Sequence, residues 1–245
     1  LEGLGRAKAI LLVGSDPFEE HPIMALQVRK AHAAGGSVVS VHPRRIDLNL
    51  SGRMHHLNPV PGEEVRALTA LAKTLLDAGA APRGEGADAY RSAIEKADAG
   101  SLCRESAVDA GEIETAGRAL RPAEGGIAVV VGPGLRDGTA AAEAINIARM
   151  LNAEILFASG ASNLQGAIDM GVHPGLLPGG RPAGDDAAGQ VCADVWGRPV
   201  PDSSGLGTDA ILAGAAEGGI KGLYLFECDP AAEHPDGDFA RRGLA

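Results

Sequence analysis

Aromatic side chains are nearly absent: Trp, Tyr and Phe make up 3% of the 245 residues. The core cannot rest on stacked rings and must be packed from Ala, Val, Leu and Ile. Cysteine is scarce as well. Cys103, Cys192 and Cys228 lie far apart, form no C-x-x-C and match no zinc or iron–sulfur spacing. Buried thiols in a reducing compartment are the expectation. Positive charge is outnumbered, and a net charge of −10 argues against a nucleic-acid groove or an anionic membrane surface as partner. No apolar run approaches the ~18 residues that a membrane span needs, so no direct membrane insertion is expected. A signal-peptide pattern is lacking too; the chain starts LEGLGRAKAI, ends FARRGLA and is expected to be a piece of a longer polypeptide.

What the chain does have is a stretch that occurs twice. LLVGSDPFEEHP (11–22) and YLFECDPAAEHP (224–235) share an apolar run, an Asp-Pro, and a Glu-His-Pro three residues later. Asp16 matches Asp229, Glu20 matches Glu233, His21 matches His234 and Arg29 matches Arg242. A short apolar run ending in a turn signal reads as a buried strand. A residue before proline is pushed out of the α region, so each copy predicts a strand opening into a polar loop before a helix. Ligands bind at that end of the strands in an open α/β sheet. Two such ends imply two related crevices.

Taken in order, the pattern predicts a strand at Ala9–Val13, a helix at Ile23–Ala34 and a strand at Ser37–Val41. Arg44, Arg45 and Arg53 cluster beyond it, and a helix is expected over Glu63–Leu76. Gly79–Gly126 is polar and Ala-rich, bounded by Arg121-Pro122 and Gly125-Gly126, and is expected to be a loosely packed helical connection. Strands at Ile127–Val131 and Glu154–Phe157 flank a helix at Thr139–Leu151, then a long Gly/Pro-rich loop spans 159–207. A helix at Thr208–Glu217 and a strand at Gly222–Phe226 close the pattern. The expected fold class is α/β, with a partial first lobe (1–78), a helical connection (79–126) and a second lobe (127–245).

The candidate sites follow from the loops. Gly14-Ser15-Asp16 ends the first strand, and His42 stands where a nucleotide-binding unit keeps an acidic ribose ligand. A histidine cannot accept two hydrogen bonds as a carboxylate does. Gly132-Pro-Gly134-Leu-Arg-Asp-Gly138 is spaced one residue longer than the dinucleotide fingerprint, and Pro133 removes a backbone donor. The histidines, among them the neighbours His55 and His56, have no partner at i+3 or i+4 and read as polar turn residues rather than metal ligands. No G-x-S-x-G or reactive-cysteine setting accompanies Ser15 or Ser159. No catalytic residue is expected.

The ordered series GSDPFEEHP, VHPRR, LNPVPGEE, VVVGPG, ASNLQGAIDMGVHPGLLPGGRP and GLYLFECDP resembles the molybdopterin oxidoreductase family along nearly the whole chain. That family includes formate dehydrogenases, periplasmic nitrate reductases and the G subunit of bacterial NADH–quinone oxidoreductase (complex I). The resemblance implies two Rossmann-like lobes with mainly parallel sheets, as in formate dehydrogenase and DMSO reductase. Catalytic members hold molybdenum or tungsten on two pterin guanine dinucleotides. Carried over, the cradle comprises Gly14, Ser15, Asp16, His42, Arg44, Gly132, Gly134, Asn163, Gln165, Gly166, Glu227 and Asp229. Three positions depart from the binding pattern. Asp16 stands for the usual Asn, His42-Pro-Arg44 for Asp-Pro-Arg, and Glu227-Cys-Asp229-Pro for a Gly-Glu-Asn-Pro-like loop. These departures resemble the complex I branch, where the fold persists without the pterin. They imply a piece with no cofactor of its own, iron–sulfur clusters upstream, peripheral-arm subunits of complex I as partners and a cytoplasmic place beside the membrane. The alternative implied is a molybdenum or tungsten pterin oxidoreductase such as formate dehydrogenase.

Overall fold

In a computed structural model, the protein is described at all residues except Asn49, Ser51, Arg53, 122–125, Arg136, Asp137 and 202–204. The parts of the sequence expectations that fall on Arg53, Pro122, Gly125, Arg136 and Asp137 therefore lie outside the described residues. The chain divides into two compact units, Leu1–Ser162 and Asn163–Ala245.

The first unit is built on β1 (Ala9–Val13), whose AILLV sequence is buried at every position. A strand apolar on both faces needs helices above and below, which is the environment of a parallel sheet. It is followed by the helical turn α1 (Pro17–Glu20), the helix α2 (Pro22–Ala33), then β2 (Ser37–Val41) and β3 (Met54–Leu57). Helix α2 stops at Gly35, which takes φ +94° while the Gly36 N–H closes back on the Ala31 carbonyl at 2.9 Å. Next come α3 (Glu64–Asp77), α4 (Ala87–Glu95), α5 (Ala99–Ser106) and α6 (Ala110–Ala119), then β4 (Ile127–Val131), α7 (Gly138–Leu151) and β5 (Glu154–Phe157). The five strands form one parallel sheet in the order β3-β2-β1-β4-β5. One face packs Leu11, Val13, Val39 and Val129 against Leu68, Leu71, Leu75, Ile113 and Ile147. The other packs Ile10, Leu12, Val38 and Val130 against Leu4, Met24 and Val28.

The class is α/β, as the sequence implies, but the strands are distributed differently. Ile127–Val131 does not open a second lobe: it pairs with β1 in the register Ala9↔Ile127 and makes β1 a central strand. The reason is physical. With β2 on only one side, β1 would leave a row of backbone donors and acceptors bare inside an apolar core. The connection is also not loose over its described residues up to Arg121. Ile94, Cys103, Val108, Ile113, Ala116 and Leu120 are buried, and Gly117 lets α6 approach α3 so closely that a Cβ there would meet Thr74 Cγ2 at 2.9 Å. His55 and His56 lie on the edge strand β3 rather than in a turn, with His56 Nδ1 3.0 Å from Ser40 Oγ across the pair. Burial pulls both imidazoles below their ordinary pKa.

The connection is tied to the sheet's own helix by a polar lock. Tyr90 of α4 donates to Glu143 Oε1 of α7 at 2.7 Å, and Asn146 reaches the other oxygen at 3.4 Å. Burial raises the Glu143 pKa despite these bonds, and burial followed by the nearby carboxylate raises that of Tyr90. The native state therefore holds the Glu143 proton more tightly than the unfolded chain does. Between the ordinary glutamate range and the raised value, stability falls as pH rises. Glu143→Gln removes that titration. Its unfolding free energy is expected to be flatter above the ordinary glutamate range, gaining on the parent as pH rises; urea titrations at several pH values check it.

The second unit contains α8 (Leu164–Asp169), a hairpin of β6 (Leu176–Leu177) and β7 (Arg181–Pro182), α9 (Asp186–Trp196), α10 (Thr208–Ala216), the helical turn α11 (Pro230–Glu233) and α12 (Gly237–Leu244). The expected loop 159–207 is thus partly ordered secondary structure: Asp185 caps α9 by accepting from the Ala188 N–H at 3.0 Å. Gly222–Phe226, expected as a strand, has no strand partner and lies exposed. A strand needs a neighbour to satisfy its backbone, and none pairs with it among the described residues. The cysteines are not uniformly buried either. Cys103 is, Cys192 is half-buried and Cys228 is exposed.

Candidate functional site

Because the order is β3-β2-β1-β4-β5, the connections from β1 and β4 leave in opposite directions. That is the switch point where doubly wound sheets open a crevice at the carboxyl ends of their strands. The structure brings Gly14, Ser15, Asp16, His42, Arg44, Gly132 and Gly134 to this end. Gly14 takes φ +57°, and its carbonyl accepts from the Gly134 N–H at 2.8 Å. The Gly132 N–H continues the ladder to the Val13 carbonyl at 2.8 Å.

The glycines here serve contact between the two loops. A Cβ on Gly132 would lie 2.4 Å from both the Gly14 carbonyl oxygen and Ser15 Cβ. One on Gly134 would lie 2.8 Å from the same carbonyl, and one on Gly14 would lie 2.6 Å from Leu135 Cγ. Leu135 thus covers the side of Gly14 on which a ligand would take advantage of the missing side chain. His42 turns its ring back on its own loop, Nδ1 standing 3.0 Å from the Arg44 N–H.

Asp16 does not point its charge into open space. It is 3% exposed, and Arg44 Nη2 donates to its Oδ2 at 2.8 Å and to Glu19 Oε2 at 3.1 Å. Glu20 folds back to accept from the Asp16 N–H at 3.2 Å and from Ser15 Oγ at 3.4 Å. The return of an acidic side chain onto the residue that starts a helix is the logic of a capping box. His21 Nε2 donates to the Ser159 carbonyl at 2.8 Å, which leaves Nδ1 as a bare acceptor. Asp16 Oδ1 and His21 Nδ1 are both buried and unpartnered among the described residues.

The remaining cradle residues belong to the second unit. Asn163 adopts φ +55° ahead of α8, Gln165 donates to Asp169 at 2.7 Å, and a Cβ on Gly166 would strike Asn163 Oδ1 at 2.4 Å. Asp229 accepts from Ala231 N–H at 3.1 Å and Ala232 N–H at 3.3 Å, and Glu233 accepts from Asp229 N–H at 3.3 Å. The repeat is therefore real at the level of local structure. Both Asp-Pro turns are closed by the glutamate four residues on. Glu227, the counterpart of Gly14, takes φ +47°, the left-handed conformation that favours glycine. His21, Glu20, Ser159 and Leu135 complete the first crevice and were outside the expected cradle; the duplicated Glu-His-Pro was the available signal for two of them.

A family model for molybdopterin oxidoreductases matches residues 1–244. The chain belongs to the molybdopterin oxidoreductase family. The family member NADPH-Fe(3+) oxidoreductase subunit alpha of Geobacter sulfurreducens is 30% identical over 259 aligned positions, covering 100% of this chain and 30% of that protein. The G subunit of NADH-quinone oxidoreductase from Streptomyces coelicolor is 28% identical over 242 positions, covering 98% of the chain and 25% of that protein. Formate dehydrogenase H of Escherichia coli is 27% identical over 238 positions, covering 90% and 33%. The chain thus spans about a third or less of the relatives it matches. Among the described residues no helix is long and apolar enough to cross a membrane, and no group of three His, Cys, Asp or Glu is placed to hold a metal ion.

Proposed function

We propose that this region is a structural platform within the large subunit of an NAD(P)H-oxidising complex, most like the G subunit of NADH-quinone oxidoreductase. In this reading the region carries no cofactor. It supports upstream iron–sulfur clusters that pass electrons from NADH toward quinone, it docks against other subunits of the peripheral arm, and it sits on the cytoplasmic face of the membrane. The observation that carries the reading is the closed glycine crevice. Leu135 covers Gly14, Gly132 packs on the Gly14–Ser15 backbone, and in the second copy a glutamate occupies the left-handed position. In this reading the contact between the loops takes up the glycine surface on which a pyrophosphate would lie, which supports a region without a pterin guanine dinucleotide. Asp16, paired with Arg44, acts as a fold element rather than a ligand.

One observation favours the rival, a cofactor-holding oxidoreductase related to formate dehydrogenase. Asp16 Oδ1 and His21 Nδ1 are two buried acceptors left unfilled at the carboxyl end of β1, and a ligand rich in N–H or O–H donors would satisfy them. Metal analysis and pterin fluorescence of the full-length protein separate the two. The platform reading expects neither molybdenum nor tungsten nor pterin near stoichiometry; one metal and two pterins per chain overturn it.

A further inference from the structure

β3 is the outermost strand of the sheet on the side of β2, and its outer edge pairs with no strand among the described residues. The Leu57 carbonyl accepts from the His42 N–H at 3.1 Å, so Leu57 and, two residues earlier, His55 turn their backbone toward β2. The residues in between turn theirs outward, which leaves the N–H and C=O of Met54 and His56 on the open edge. A cleft of about 430 Å³ lies there, with Arg45, Met54, His55, His56, Asp109 and Glu112 in its lining. Consecutive side chains of a strand point to opposite faces, so a cleft that reaches Met54, His55 and His56 follows the edge rather than one face. Its charges differ in sign between the faces. Asp109 caps α6 and Glu112 lies in its first turn, and α6 packs through Ile113 on the face that carries Val39 and Leu57. Arg45 acts on His56, whose partner Ser40 shares the opposite face with Val38. Neither carboxylate has a salt-bridge partner among the described residues. Burial keeps both imidazoles uncharged near neutral pH, so they do not blur this contrast.

We infer that the β3 edge takes up an extended segment of a partner protein as an added strand, one whose side chains alternate between basic and acidic. Such a segment gains its main-chain hydrogen bonds from Met54 and His56, and its alternating side chains are read by what each face offers. Those turned to the α6 face meet Asp109 and Glu112, which select Lys or Arg. Those turned to the other face meet Arg45, which selects Asp or Glu. Opposite charges across a strand pair favour the pairing and like charges oppose it. The four residues of β3 span about 13 Å, so roughly four residues of the partner need to hold this alternation. A second copy of the chain is a poor occupant: its own edge, MHHL, carries no charge at neutral pH to match the two faces. The inference goes beyond the platform reading and holds whether or not the crevice at β1 takes a cofactor.

Peptide binding to the full-length protein tests it. The probe is a fluorescent peptide in which lysine and glutamate alternate over about eight residues; a peptide of the same composition, with its lysines in one block and its glutamates in the other, is the control. Fluorescence anisotropy is expected to show the alternating peptide binding about tenfold or more tightly than the block peptide. Glu112→Lys turns an attraction into a repulsion and is expected to weaken the alternating peptide about fivefold. His56→Pro removes the outward N–H at an edge position that tolerates proline, and is expected to abolish the preference. Should His56→Pro fail to fold, Glu112→Lys on the exposed turn of α6 still decides. Equal binding of the two peptides, binding of neither, or indifference to Glu112→Lys overturns the inference. So does slow amide exchange at His56 in the peptide-free protein. The edge would then be filled already, by the rest of the same chain if protection survives dilution and by a second copy if it does not.

Discussion

Gly132→Ala is expected to destabilise the protein by about 3 kcal/mol or more, since added volume in a well-packed site costs ~1–3 kcal/mol even where side chains can yield. Here they cannot. The new methyl would stand 2.4 Å from a backbone oxygen and 2.6 Å from Ser15 Cα. Relief requires the β1 and β4 loops to separate, which breaks the Gly134–Gly14 hydrogen bond and uncovers Gly14 from Leu135. Gly138→Ala is the matched control, because nothing lies within 4 Å of a Cβ there. Its expected effect is within ~0.5 kcal/mol. Equilibrium denaturation of both variants checks the pair; equal, small effects would mean that the crevice is not closed by the glycine contact.

Leu71→Ala is expected to cost ~2–5 kcal/mol, the range for emptying a fully buried leucine site. Leu71 is fully buried in the layer where α3 meets the sheet, and its Cδ1 lies 3.9 Å from where a Cβ on Gly117 would stand. A cavity there removes support from α3 and α6 together. The expected accompaniment is faster proteolysis within 79–126 than in the parent, since local opening follows lost packing. If that segment were a loose tether, its cleavage would already be fast and the substitution would not change it. Limited proteolysis with mass spectrometry reads the cut sites directly.

Where the sequence was legible, one clear period dominated. Ala9–Val13, Ser37–Val41, Ile127–Val131 and Glu154–Phe157 are short apolar runs ended by a turn signal, and the structure places strands over those residues. That β4 joins the same sheet was not legible. The pairing of β1 with β4 is a long-range choice that a local pattern does not encode. β3 escaped because MHHL is polar for a strand: it sits at the sheet edge, where only Leu57 is fully buried. Helix α5 escaped for a different reason. AGSLCRES has weak propensity but gains an Asp98 cap, which accepts from the Gly100 N–H at 3.0 Å, and a buried Cys103. At the site, Gly14, Asp16 and Gly132 were visible as loop residues. What they touch was not: the partner of Asp16 comes from the loop after β2, and the cover of Gly14 comes from the loop after β4.

The register Ala9↔Ile127 also has a consequence in time. β1 finds β2 within a few dozen residues of synthesis, but its other flank waits for a strand roughly 120 residues further on. At about 5–20 residues per second, that flank stays open for roughly 6–24 s of synthesis. Throughout this interval a strand that ends up buried at every position presents a bare edge, the surface on which nascent chains cross-associate. Helices α3 to α6 are made during the wait and can shelter only one of its faces. Newly made chains should therefore depend most on chaperone capture after β2 has emerged and before β4 has.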